Sequence, residues 1–398
     1  MFQRIRKSYE HTIYASYIGY ITQAIVNNFA PLLFLTFASE FALTLDKITV
    51  ITTLNFLVQL LVDLLSAKAV DKIGYRASAV IAHFFAAVGL IGMAVLPTLL
   101  ENAYAGILIC VVCYAIDGGI IEVLISPIVE ACPTKKKEAA MSLLHSFYCW
   151  GHVFVVLAST AFFHFIGIQS WRVLAVLWAL IPLFNLFYFL LVPIYPIVEP
   201  GERVPVRNLL KQKAFWIFFV MMICAGASEQ GMSQWVSTFA ESALHVSKTV
   251  GDLLGTCLFA VLMGTSRALY GKFSEKIPLT KAMAFCSILC LGCYILAALV
   301  PNPYIGLLAC GTLGFSVGIF WPGTFSMSAA SLPGGGTAMF AFLALAGDLG
   351  CSSGPTLVGM VSSTNGGNMT MGLLAAIVFP ILMLASIVIQ KRVCYAKK

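Results

Sequence analysis

Charge in this sequence comes in short bursts, and between them lie apolar runs of roughly 20 residues or more, each long enough to cross a bilayer as a helix. The constraint is severe. Inside hydrocarbon a chain must satisfy its own backbone polar groups, and only helices or closed barrels do so. The runs are continuous and long rather than short and alternating, so they read as helices. Charged residues make up 10% of the chain and hydrophobic ones 60%, too little charge to coat a water-soluble fold of 398 residues. An all-α integral membrane protein is therefore expected, with no large soluble domain; the longest polar stretch is 196–213.

Hydropathy and the Gly, Pro and charge punctuation divide the chain into twelve spans. Six precede the polar stretch: 12–37, 48–67, 77–99, 103–128, 139–166 and 171–194. Six follow it: 214–239, 249–269, 280–300, 304–329, 337–361 and 370–390. The first follows basic residues, as a signal peptide would, but it is too long for a signal core and is read as a retained helix. With both termini cytoplasmic, all of the 24 Lys and Arg except Lys47, Arg172 and Lys248 fall on the inner side. The net charge of +7 thus reports topology, not nucleic-acid binding. A multi-pass protein of the cell (inner) membrane, monomeric and surrounded by lipid, is expected. The 12 cysteines show no metal-ligand or disulfide-framework spacing, and neither a metal nor a cofactor is expected.

The stretch 196–213 reads as a cytoplasmic linker between two six-helix bundles, 1–195 and 214–398. SAKAVDKIGYRAS (66–78) and YGKFSEKIPLTKA (270–282) repeat one pattern: Asp71 falls over Glu275 and Lys72 over Lys276. Two parallel six-helix repeats are the layout of a major facilitator transporter. The loop also resembles that superfamily's G-x-x-x-D-x-x-G-R signature, with Ala67, Asp71, Gly74, Tyr75 and Arg76 at its positions. The second copy keeps Gly271 and Glu275 but carries Pro278. The resemblance implies a cytoplasmic gate using Asp71, Arg76, Arg267 and Glu275, in which acids meet basic groups and a helix N-terminus.

A narrower resemblance lies in GGIIEVLISPIVEACP (118–133) and MSLLHSFYCWGHV (141–153), which look like spans four and five of the fucose:proton symporter family. It implies that Glu122 is the buried proton-linked Glu of that family, with Ser126–Pro127 on its Asn-Pro and His145 on a polar span-five position. Asn27–Asn28 stands where the family has Asn-Asp, and Tyr148 where it has an Asn implicated in sugar contact.

Acids inside spans are costly and mark function or interhelical bonding. Asn55, Gln59 and Asp63 form a stripe read as interhelical, and Glu130 is read as interfacial. Asp117 and Glu122 diverge by about 140° around the helix, so they do not share one ligand equally. Glu122 lies near mid-span and is the better proton carrier; a permanently hydrogen-bonded neutral Glu is the alternative. Span seven carries GASEQGMSQWVSTF (226–239). There Glu229, Ser233, Gln230 and Gln234 offer hydroxyl partners and Trp235 a stacking face, the chemistry of a polyhydroxyl ligand, while helix–helix polar bonding is the competing reading. Span five aligns His145, Tyr148 and His152. Superposing Gly151 on Gly354 sets Asp348 opposite His145, which suggests that the two flank a central cavity. Span one adds Tyr20, Gln23 and Asn27, with Asn28 adjacent and Pro31 breaking the helix. Trp321–Pro322 predicts a kink in span ten.

These patterns predict a secondary active transporter that moves a small neutral polar solute, a monosaccharide or polyol, by alternating access and proton symport. The coupling candidates are Glu122, Glu229 and Asp348. Anions are disfavoured, because no Lys or Arg is apparent in a span interior. An exporter or carrier of organic or amphipathic compounds, and a non-transporting sensor on the same fold, are the alternatives. No nucleophile–base or metal motif points to an enzyme.

Overall fold

The computed structural model describes the chain apart from residues 1–4, 135–136, 196–208, 274–275, 333–335 and 396–398. Among the described residues there is no strand. Twelve principal helices follow one another: α1 (Tyr9–Asn28), α2 (Leu45–Ile73), α3 (Tyr75–Leu99), α4 (Ala103–Ala131), α5 (Lys137–Ile166) and α6 (Trp171–Leu191), then α7 (Lys213–Ser233), α8 (Leu258–Phe273), α9 (Leu279–Leu299), α10 (Pro303–Val317), α11 (Gly336–Thr364) and α12 (Val378–Tyr395). Among the described residues, eleven helical stretches are long and apolar enough to cross a membrane. The 29-residue α11 covers the remaining predicted span, 337–361. The protein is a multi-pass membrane protein.

The chain divides into two compact units, Met1–Thr44 with Leu54–Glu199, and Leu45–Thr53 with Pro200–Lys398. Most of the linker predicted at 196–213 lies outside the described residues, and α7 begins at Lys213.

Helix starts follow local chemistry. The Asn102 side chain accepts from Ala105 N at 3.1 Å and caps α4. Asn302 accepts from Tyr304 N at 3.0 Å and is followed by Pro303, whose missing N–H costs nothing in the first turn of α10. Gly74 joins α2 to α3 at φ +91°, a left-handed conformation that explains the glycine of the 66–78 pattern. In the second copy Pro278 stands at φ −57° and opens α9 directly, so the two copies turn differently.

Prolines also interrupt helices inside the membrane. Pro31 sits in a 3₁₀ turn, Ala30–Leu33, between α1 and the short helix Phe34–Glu40. The break in span ten falls at Gly318–Ile319, just ahead of the predicted Trp321–Pro322, and the chain continues as the helix Phe320–Ser331. Pro322 has no N–H to give to the carbonyl four residues back, at Gly318.

The first unit is cored by Ile121, Leu124, Ile125 and Ile128 of α4 against Ala79 and Ala82 of α3 and Tyr17 of α1. The outward faces carry Phe84, Ile91 and Val95, a surface suited to lipid. A buried polar contact threads this core: Asn185 Nδ2 lies 2.7 Å from His83 Nε2 and donates to Ala15 O at 3.0 Å. It ties α6 to α3 and α1.

In the second unit α7 lies against α11 almost backbone to backbone. A Cβ placed on Gly350 would fall 2.1 Å from Ile223 O, and one on Gly354 would fall 2.4 Å from Ala227 O. Lipid gives helices no hydrophobic reason to associate, so small residues that admit dispersion contact do this work. Gly350→Val is expected to destabilise the detergent-solubilised protein by about 1–3 kcal/mol. Gly292→Ala, which meets nothing within 4 Å, is expected to leave the melting temperature unchanged. Equal melting temperatures for both variants would refute this account of the contact.

Candidate functional site

In the first unit the α1 face Tyr20, Gln23 and Asn27 meets α4 and α2 in register. Gln23 Nε2 donates to Glu122 Oε2 at 2.8 Å and to Gly118 O at 3.3 Å. One turn further along α4, Tyr20 Oη and Ser126 Oγ lie 3.3 Å apart. Asn27 Oδ1 accepts from Gln59 Nε2 at 2.7 Å and from Asn55 Nδ2 at 3.1 Å, so two members of the α2 stripe reach α1. The paired glycines of α4 leave the space: a Cβ on Gly118 would fall 2.5 Å from Gln59 Cδ. Each of these bonds removes an amide or carboxyl from hydrocarbon without water.

His145 is exposed within this unit, its ring 5.5 Å from that of Tyr20, and so borders the Gln23–Glu122 group. Tyr148 packs on the apolar core beside α4, and His152 is buried. Asn28 turns its amide back to Ala24 O at 2.9 Å, on its own helix, and is not brought to Glu122. Asp117 is fully buried, and neither of its carboxyl oxygens has a hydrogen-bond partner among the described residues. Of Asp117 and Glu122, Glu122 is the one that neighbouring polar groups engage.

Arg76 sits at the start of α3 and donates to Phe189 O at 2.7 Å and Leu190 O at 3.0 Å. It caps the carbonyl end of α6, where a cation is favoured. Glu275 and the side chain of Asp71, the acids expected with it in a gate, lie outside the described residues.

In the second unit Gln230 Nε2 approaches Glu229 Oε1 at 3.4 Å, and Gln234 Nε2 donates to Gln230 Oε1 at 3.0 Å. Ser233 is buried on the same helix. Arg267 of α8, expected at a cytoplasmic gate, instead has Nη2 3.9 Å from Glu229 Oε2. Its Nε donates to Gly318 O at 3.0 Å, the carbonyl that Pro322 leaves without a helical donor. Glu229 lies near the middle of the 30-residue stretch Lys213–Ser242, and Arg267 near the end of its own stretch, Lys248–Tyr270.

Trp235 is corrected as well. It is 0% exposed, and its Nε1 donates to Pro355 O at 2.9 Å, so its ring is packed away from any ligand. Trp321 is partly open and lies on Gly347, where a Cβ would fall 2.1 Å from the indole, next to the buried Asp348.

A second charged group was missed in the sequence. Ser237 Oγ donates to Asp252 Oδ1 at 2.6 Å, and Lys248 Nζ lies 3.1 Å from Asp252 Oδ2. Asp252 opens a π-helical turn, Asp252–Cys257, directly ahead of α8. The i, i+4 spacing of Lys248 and Asp252 was the available signal.

Long apolar helices that gather acids, amides and a guanidinium inside their spans are the architecture of a membrane transporter. Residues 16–355 match the Major Facilitator Superfamily, and the chain belongs to that family. A bacterial homologue of the human lysosomal transporter Spinster, solved in an inward-facing and occupied conformation, is 16% identical with a TM-score of 0.77, over 98% of this chain and 97% of that one. A D-xylose–proton symporter is 12% identical with a TM-score of 0.76, over 96% and 97%. The E. coli fucose:proton symporter is 14% identical with a TM-score of 0.65, over 96% and 99%. At these identities the likeness is one of fold. No curated protein matches by sequence.

A double-mutant cycle of Gln23→Ala and Glu122→Ala, read by unfolding in detergent, is expected to give a coupling of about 1–2 kcal/mol. Strictly additive effects would mean that the 2.8 Å bond contributes nothing.

Proposed function

We propose that the protein is a secondary active transporter that couples a small polar solute, of monosaccharide or polyol size, to proton movement by symport. The observation that carries this reading is the Gln23–Glu122 bond at 2.8 Å inside the first unit. A carboxyl held by an amide on a neighbouring helix, with Tyr20, Ser126 and His145 beside it, can exchange that donor for a solute hydroxyl or a proton. The amides of Gln230 and Gln234 and the partly open Trp321 supply matching chemistry in the second unit. The fold shared with two sugar–proton symporters supports the class of solute. The Lys and Arg distribution supports cytoplasmic termini in the cell membrane.

In this reading Glu122 carries the proton, and Asn28, committed to Ala24 O, does not share that work. Glu229 and Asp348 are the further coupling candidates. In proteoliposomes, an inside-alkaline gradient is expected to drive solute accumulation by the wild type. Glu122→Gln is expected to lower gradient-driven accumulation at least tenfold while solute counterflow persists. Undiminished accumulation by Glu122→Gln would remove Glu122 from the coupling step.

A further inference from the structure

We infer that the groove between the start of α3 and the end of α6 is a headgroup site for an anionic phospholipid of the inner leaflet, with Arg76 as its phosphate anchor. Such a site is independent of the solute and of the coupling step. It needs only the cytoplasmic placement of the termini proposed above.

The groove has a volume of about 520 Å³ and is lined mainly by Gly74, Arg76, Ala77, Val80, Ile81 and Leu190. It is open beside Gly74, where an added Cβ would meet nothing within 4 Å. Arg76 is half-buried at the level where α3 begins. One of its nitrogens, Nη1, donates to both the Phe189 and Leu190 carbonyls, at 2.7 and 3.0 Å. Those two bonds use both Nη1 hydrogens. Nη2 and Nε keep three N–H groups that meet no acceptor among the described residues. Together they form the edge of the guanidinium fork that takes two oxygens of one phosphate. The α6 carbonyls therefore hold the guanidinium in place while its Nε–Nη2 edge stays available.

The rest of the lining selects the kind of anion. Ile81 and Leu190 are 37% and 48% exposed, and the apolar strip continues through Phe84 and Val88 of α3 and Phe187 of α6. At 1.5 Å per residue, Phe84 lies about 12 Å deeper along α3 than Arg76. A phosphate on the guanidinium thus lays acyl chains along that strip, whereas a free phosphate ion gains nothing from it. Among the described residues no acid lines the groove, so an ammonium headgroup finds no partner there. A lipid of net negative charge is favoured over a zwitterionic one, and the cytoplasmic leaflet supplies it. Because Arg76 also holds the carbonyl end of α6, a bound phosphate tightens the α3–α6 contact and stabilises the first unit.

The test uses the full-length protein in detergent micelles, titrated with phosphatidylglycerol, phosphatidylcholine or inorganic phosphate. Phosphatidylglycerol is expected to raise the melting temperature and to survive as a bound lipid in native mass spectrometry. Phosphatidylcholine and inorganic phosphate are expected to do neither. Ala77 is exposed, so Ala77→Phe fills the groove and leaves Arg76 on its two carbonyls. This variant is expected to keep the lipid-free melting temperature of the wild type. Its half-saturating phosphatidylglycerol concentration is expected to rise at least about fivefold. Arg76→Gln is expected to weaken phosphatidylglycerol binding by a similar factor and also to lower the lipid-free melting temperature, because the α6 carbonyls lose their donor. Arg76→Lys keeps the charge without the fork and is expected to fall between the two. Equal stabilisation by phosphatidylglycerol and phosphatidylcholine, or unchanged phosphatidylglycerol affinity in Ala77→Phe, would overturn the inference. Inorganic phosphate matching phosphatidylglycerol would assign the site to a free anion and overturn the lipid reading. None of these outcomes touches the role proposed for Glu122.

Discussion

Once the chain enters hydrocarbon, its backbone polar groups must find partners within the protein, and this requirement organises the structure. The clearest instance is the carbonyl of Gly318. Pro322 removes the backbone donor that would have met it, and the Arg267 side chain takes that place at 3.0 Å. The break in span ten and the seat of the Arg267 Nε both follow from one missing N–H. The same rule explains Asn185 between His83 and Ala15 O, and Gln59 and Asn55 on Asn27 Oδ1.

Satisfaction of these groups depends on close helix approach, which glycine supplies at chosen points. Gly118 lets Gln59 cross to α1, and Gly350 and Gly354 let α7 lie on α11. Packing and polarity are therefore one problem here. The amides that join helices sit beside buried acids, and a larger residue at Gly118 would displace Gln59. The two readings of a polar group, as interhelical bond or as solute contact, are not exclusive: under the proposed function the Gln23–Glu122 bond is one that a solute replaces.

Much of this was legible in the sequence. Span number, the break at Pro31, and the alignment of Tyr20, Gln23 and Asn27 on one face are local properties of composition and 3.6-residue periodicity. Glu122 stood out because an acid in an apolar run has few bland explanations. Trp235 misled, since its neighbours Gln230 and Gln234 suggested an open face while its ring is fully buried under α11. Asn28 misled in the same way, its amide being turned to its own helix.

The sequence by itself determined an all-helical membrane protein, because bilayer thickness and backbone solvation leave a chain of this patterning no other form, and the repeated loop at 66–78 and 270–282 carried the resemblance to the major facilitator superfamily. Tertiary structure decided which polar groups meet. Arg267 and Glu229 are 38 positions apart in sequence, and nothing in their local patterns pairs them. Their meeting depends on the rotation of α8 about its axis and on a carbonyl released in α10. Those quantities are set by side-chain packing between helices, which a hydropathy pattern does not encode.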